Sequence, residues 1–317
     1  MITPATLFHS DVFVLKSNSQ LAASVTLFLA TALWGIFWLP LRHIEERGIP
    51  GVWAVIAINI VPLLFLLPLV IYRRRQFFKD FKTKAVVGLA MGGGMALYAI
   101  AILYTTVLRT TLLFYMSPIW ATLLAMVILK EQVNVKRWLA ITTGFTGLLL
   151  ILAGKDDSGI ATSLNRGDVL ALLSGVFWGY GTVIIKKSAE IPAIDLVPGQ
   201  YFWATVIAVA VLLSTAGNSE FRVPDFRQWI DAAPFVIGFY VVLFLPTIFI
   251  ATRIAQILSP GRVCLLMMSE VLVAGISAPL FAGESISLIE WFAGLLILAA
   301  TVIEVYSAPA TAETTTG

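Results

Sequence analysis

Few side chains in this chain could do chemistry, and the one whose position demands most explanation is Glu270. It lies near the middle of Ser259–Glu284, a stretch of membrane-span length that is otherwise apolar nearly throughout. An acid at the bilayer centre costs about 2.5–3.5 kcal/mol on insertion scales, so it must face protein or water rather than lipid. At helical spacing Val263, Met267, Glu270, Ala274 and Ser277 share one face. An acid so placed can bind a substrate ammonium, exchange a proton, or hold a neighbouring helix through a structural hydrogen bond. The sequence leaves these three open.

The remaining candidates are aromatic or soft. Trp34 and Trp38 share a face of one apolar segment, and Met91, Met95, Tyr98 and Ile102 share a face of another. Ser174, Trp178 and Thr182 align in a third, and Tyr240 and Phe244 in a fourth. A cavity of Trp, Tyr and Met with few charges suits a substrate with a sizeable apolar side chain, although such residues also fill ordinary helix contacts. The expected lining is Trp34, Trp38, Met95, Tyr98, Ser117, Trp178, Thr182, Tyr240, Phe244, Met267 and Glu270. Pro62, Pro118 and Pro246 are the candidate gating positions, because proline in a spanning helix frees backbone carbonyls and permits kinks. Arg109 could attract a carboxylate, or it could cap or snorkel. Asn59, close to Pro62, could bond backbone that the proline frees.

Other chemistries lack their residues. His9 and His43 are the only histidines, neither in mid-segment, and there is no HExxH. Glu270 has no carboxylate four residues away, so neither a metal site nor an acid dyad is expected. No catalytic residue, cofactor or metal follows, and the expected partners are a small-molecule substrate and lipid, with no nucleic acid. Sugar phosphates would need cationic donors in the cavity, and no lysine or arginine lies in mid-segment. A passive channel stays open.

The elements that position these residues are membrane spans. The chain is 59% hydrophobic and 12% charged, against roughly 45–50% and roughly 25% in soluble domains. Runs of about 20 apolar residues mark spanning helices, and ten segments fit: 21–41, 52–72, 84–106, 110–129, 137–154, 168–185, 196–215, 231–252, 260–283 and 288–306. With the N-terminus inside, 14 of the 21 Lys and Arg residues fall on the inner side, led by the cluster at 73–84. That bias places both termini in the cytoplasm. Residues 1–20 read as a cytoplasmic segment with no signal-peptide pattern, 155–167 as an outer linker, and 307–317 as a disordered tail.

The ten segments repeat as two fives. Leu33-Trp34-Gly35 in segment one returns as Phe177-Trp178-Gly179 in segment six, 144 positions on. Arg109–Glu131 returns as Ser259–Glu284, with Ser117-Pro118 matched by Ser269-Glu270. An odd number of spans per copy inverts the second copy in the membrane, the architecture of secondary transporters, whose substrate site lies near the midplane between repeats. Segments five and ten lack proline and are expected to be straight supports, with a homodimer contact there one option and monomer or dimer undecided.

These residues, from Ser117-Pro118 through Glu131, Trp138 and Gly144/Gly147, then Ser259–Arg262, Leu265–Val273 and Gly283-Glu284, resemble the drug/metabolite transporter superfamily in its ten-span EamA branch. The likeness covers all but the two ends of the chain. It implies an all-α integral membrane protein of two inverted five-helix repeats, 21–154 and 168–306, in the inner (plasma) membrane. It further implies export of amino acids or other small metabolites by alternating access, and the chain looks like aromatic amino-acid exporters of the YddG type. One departure is that proline stands in the first repeat where the second has Glu270, so the cavity cannot be symmetric in charge.

Overall fold

The computed structural model describes residues 20–153, 165–214, 223–282 and 288–305. The expected N-terminal segment, the outer linker, Gly283-Glu284 and the tail therefore lie largely or wholly outside the described residues. Every regular element among those described is helical. Eight helices are long and apolar enough to cross a membrane: Gln20–Glu46, Val52–Tyr72, Phe81–Ile102, Arg109–Ile128, Arg166–Lys187, Ala193–Ser214, Phe226–Ala255 and Pro260–Phe281. They correspond to segments one to four and six to nine. Segments five and ten form the helices Val135–Ala153 and Leu288–Val305, which pack against each other.

Helices in lipid gain little from burying apolar surface against one another, so they associate where small residues let backbones approach. Segment three follows this rule. An ideal Cβ on Gly88 would lie 2.8 Å from the Gly199 carbonyl oxygen of segment seven, and one on Gly94 would lie 3.2 Å from the Trp178 ring of segment six. The Gly92-Gly93-Gly94 run thus lets segment three sit between segments six and seven. The outward faces are apolar instead. Leu64, Phe65 and Ile71 in segment two, and Trp291, Phe292 and Leu295 in segment ten, are exposed as a lipid-facing surface requires.

Several segments are not continuous α-helices. Segment one passes through a 3₁₀ turn, Leu33–Ile36, before resuming at Trp38–Glu46. Segment four is two helices, Val107–Phe114 and Ser117–Ile128, and segment nine is likewise Pro260–Leu266 and Ser269–Ser277. The breaks fall at Tyr115-Met116 and Met267-Met268, immediately before the matched Ser117-Pro118 and Ser269-Glu270 pairs. Segment eight is π-helical over Val236–Phe244, between Pro234 and Pro246. π-Turns are rare and recur at functional sites. Here two aromatic residues of the cavity, Tyr240 and Phe244, are carried on that stretch.

The matched Trp-Gly pairs dock in matched ways. Gly35 lies against the backbone of Glu270 and Ala274 in segment nine, and Gly179 lies against that of Ser117 and Ala121 in segment four. Segment one therefore clasps segment nine as segment six clasps segment four.

One clasp outside the apolar core is ionic. Arg109 donates from Nε and Nη2 to the two carboxylate oxygens of Asp168, at 2.7 and 2.9 Å. Asp168 is fully buried, and it closes a capping box with Asn165 at the start of segment six. Arg109 is thus committed to a protein carboxylate, which corrects the capping or snorkelling role expected for it. Removing one partner of a buried pair strands the other, at about 3–5 kcal/mol. Arg109→Leu is expected to lower the unfolding temperature in detergent clearly, and adding Asp168→Asn should recover much of the loss. A double variant no better than the single one would contradict this.

Candidate functional site

The kinked, broken and π-helical stretches converge on one cavity. It encloses about 620 Å³ of empty space, part of it open to the surroundings, and its wall includes Trp34, Phe37, Asn59, Met95, Tyr98, Phe114, Trp178, Tyr201, Tyr240, Phe244 and Glu270. The rings form a continuous set. Trp178 stands edge-on to Trp34 at 5.5 Å and to Phe114 at 5.9 Å between centroids. Phe37 meets Tyr240 at 5.3 Å and Phe244 at 5.6 Å, and Tyr240 stacks on Phe244 at 5.4 Å. Edge and offset contacts of this kind hold ring planes in place, so the lining is preorganised.

Glu270 sits at the wall under two phenols. Tyr98 donates to Glu270 Oε1 at 2.5 Å, and Tyr115 Oη lies 2.7 Å from Oε2. Tyr115 Oη is also 2.6 Å from the carbonyl oxygen of Met267, in the break of segment nine. Tyr98 Oη is 2.8 Å from Thr111 Oγ1, which donates to the Val107 carbonyl. The broken segments explain this cluster. The turn at Tyr115-Met116 points Tyr115 across to segment nine, and the turn at Met267-Met268 exposes the carbonyl it meets.

Two lining rings are pinned by their polar ends. Trp34 Nε1 donates to Thr247 Oγ1 at 2.7 Å, and Tyr240 donates to the Phe37 carbonyl at 2.8 Å. Asn59 Nδ2 donates to the Val55 carbonyl at 2.8 Å. The oxygen released by Pro62 belongs to Ile58, one turn further on, so Asn59 does not satisfy that group as expected from sequence.

Of the eleven residues expected at the site, Trp34, Met95, Tyr98, Trp178, Tyr240, Phe244 and Glu270 meet at this cavity. Trp38 turns away from it, donating to Ser277 Oγ at 3.1 Å with Arg42 over its ring. Ser117 and Thr182 are buried near the core that holds Cys264, and Met267 is buried with its carbonyl rather than its side chain at the cluster. Pro62 lies inside segment two, Pro118 opens the second half of segment four, and Pro246 ends the π-stretch of segment eight. Sequence reasoning missed Tyr115, Thr111, Phe37, Phe114 and Tyr201. Tyr115 had one available signal: it lies two residues before the Ser117-Pro118 pair whose twin contains Glu270.

No group of three or more His, Cys, Asp or Glu side chains among the described residues could hold a metal. Outside the membrane, burial raises the Glu131 carboxyl above its ordinary value, with Arg137 and Lys186 pulling it back.

Known proteins agree with this architecture. The profile of the EamA-like transporter family matches residues 21–153 and again 165–306. An uncharacterized transporter of Bacillus subtilis, YoaV, is 27% identical over 161 residues, which is 49% of this chain and 54% of that protein, so the match spans about half the relative's length. A riboflavin transporter of Brucella anthropi is 28% identical over 209 residues, 62% of this chain and 69% of that protein. A solved crystal structure superposes with a TM-score of 0.63 over 89% of this chain and 96% of its own, at 15% identity, which speaks to fold alone. With both halves of the chain matched by the family profile, and with eight membrane-length helices around an aromatic cavity, the chain is a multi-pass membrane protein that belongs to the EamA-like transporter family.

Proposed function

We propose that the protein is a secondary transporter that exports small molecules bearing an aromatic ring, aromatic and neutral amino acids among them, across the inner (plasma) membrane. Transport proceeds by alternating access between two inverted repeats, with ten spans and both termini in the cytoplasm. The observation that carries this reading is the ring-lined cavity, built from segments of both halves, with a single acid in its wall. The matched docking of Gly35 on segment nine and Gly179 on segment four supports two equivalent halves that rock against each other. Riboflavin, in the name of one relative, is a second candidate of the same kind, since it too presents a flat ring system. No lysine or arginine is among the lining residues, which disfavours sugar phosphates.

Glu270 is the proposed proton-exchange site. Tyr115 has one proton and two acceptors within reach, Met267 O and Glu270 Oε2. A proton on Glu270 lets the carboxyl donate to Tyr115 while Tyr115 donates to Met267. Losing that proton forces Tyr115 to turn to Glu270 and release the Met267 carbonyl at the helix break. Proton binding at the acid is thereby linked to the backbone of segment nine.

Counterflow in proteoliposomes tests the function. Vesicles loaded with unlabelled tryptophan or riboflavin and placed in trace label of the same compound should accumulate label transiently, because a carrier with one alternating site exchanges. Flux without overshoot would point to a channel. No protein-dependent flux of any ring compound would remove the proposal.

A further inference from the structure

The polar atoms of the cavity are unevenly committed. Glu270, Tyr98, Trp34 and Tyr240 each have a protein partner, as described above. Asn59 and Tyr201 differ. The Asn59 amide nitrogen is used by Val55, which fixes its orientation and leaves Oδ1 with no hydrogen-bond donor among the described residues. Tyr201 lines the same cavity and its side chain makes no hydrogen bond among the described residues, while the Nε1 donor of Trp178 in the same wall is buried without a partner. Asn59 and Tyr201 are almost fully buried, line the cavity, and come from segments two and seven, which pack together. Polar atoms of buried residues that find no protein partner are costly unless water or a solute in the cavity meets them.

The charges point the same way. The lining holds no lysine, arginine or histidine, so an ionised carboxylate entering it would find no cation. Stripping water from such a group without pairing it is prohibitive. Glu270, the one acid in the wall, already has a phenol on each oxygen.

We propose that the cavity selects uncharged ring compounds that carry an N–H or O–H donor for Asn59 Oδ1, in preference to zwitterionic amino acids built on the same ring. The proposal rests on the ring-solute reading above and narrows it. Asn59 is then the specificity-determining residue, receiving the donor of the solute, with Tyr201 as a second polar group of the lining. The aromatic set takes the ring, and Glu270, with a phenol on each oxygen, presents no free charge.

A charge ladder on one ring tests this. Purified protein in detergent is titrated calorimetrically with indole-3-acetamide, tryptophan, tryptamine and indole-3-acetate, which are neutral, zwitterionic, cationic and anionic near neutral pH. The acetamide is expected to bind at least about tenfold more tightly than each of the other three, a difference of the size produced by one uncompensated polar group. Asn59→Leu, which keeps the side chain's bulk, should weaken acetamide binding by about tenfold while leaving the others nearly unchanged. Tryptophan binding as tightly as the acetamide would overturn the charge preference and leave the ring reading standing. Tryptamine binding most tightly would overturn it as well, by showing Glu270 free to pair with a cation. Binding of none of the four to folded protein would remove the ring reading and this inference together. An unchanged preference in Asn59→Leu would overturn the role of Asn59.

Discussion

Glu270→Ala is expected to reduce transport at least tenfold, about 1.4 kcal/mol in barrier terms, while leaving the protein folded. The separation of the two effects follows from the local hydrogen bonds. Without the carboxyl, Tyr98 keeps Thr111 and Tyr115 keeps the Met267 carbonyl, so neither phenol is stranded. What disappears is the one carboxyl among the lining residues, the group proposed to take up and release a proton beside segments four and nine. Glu270→Gln separates the remaining roles. Its amide can accept from Tyr98 and donate to Tyr115, reproducing the protonated acid, so substrate binding should survive. The pH dependence of transport should vanish, because the variant is fixed in one protonation pattern. Tyr98 and Tyr115 are the titratable groups facing it, with Cys264 near Tyr115, and no lysine, arginine or histidine is among the lining residues. Flux measured across a range of external pH decides the matter. A Gln variant that keeps the wild-type profile would remove Glu270 as the proton site.

Gly35→Ala is expected to be strongly damaging, more so than the same change at its counterpart Gly179 in the second half. A Cβ on Gly35 would stand 2.6 Å from the Glu270 carbonyl oxygen, 2.7 Å from the Ala274 nitrogen and 2.5 Å from Val273 Cβ. These are backbone atoms and a Cβ, which cannot rotate aside, so segments one and nine must separate. At Gly179 the nearest contacts are 3.0–3.1 Å and can yield by small shifts. Overpacking typically costs about 1–3 kcal/mol, and at Gly35 it also displaces the helix that carries Glu270 and breaks the Ser277–Gly35 bond of 2.9 Å. Thermal unfolding in detergent should show a larger loss for Gly35→Ala than for Gly179→Ala, with transport falling in the same order. Equal stability of the two variants would contradict the docking described.

Much of this was legible in the chain and some of it was not, for identifiable reasons. Apolar segment length marks ten segments, eight of which form membrane-length helices among the described residues, because lipid forces every backbone group to be satisfied within its own helix. The cost of an acid in mid-segment singled out Glu270 before any contact was visible. The Trp34-Gly35 and Trp178-Gly179 pairs announced the repeat, and both glycines proved to be where helices touch. Tyr115 and Thr111 were not legible, because they reach Glu270 from a different segment and no periodicity within one helix encodes that. The break in segment nine was hidden for a similar reason. Met267-Met268 contains neither proline nor glycine, and only the parallel with Tyr115-Met116 before Ser117-Pro118 hinted at it. Trp38 misled by sharing a helical face with Trp34. The 3₁₀ turn at Leu33–Ile36 rotates the chain between them, so Trp38 turns toward Ser277 instead of the cavity.

The central claim, that the ring-lined cavity is the site through which substrate passes, is tested most directly by the concentration dependence of flux in proteoliposomes carrying wild type or Trp178→Leu. Trp178 touches both Trp34 and Phe114 at the cavity wall, and losing its ring should weaken substrate binding. The expected result is saturable flux in wild type and a KM raised about tenfold or more in the variant, the loss of one ring contact set worth ~1.4 kcal/mol. Flux that fails to saturate in wild type, or a KM that is the same in both, would contradict the assignment of this cavity as the transport site.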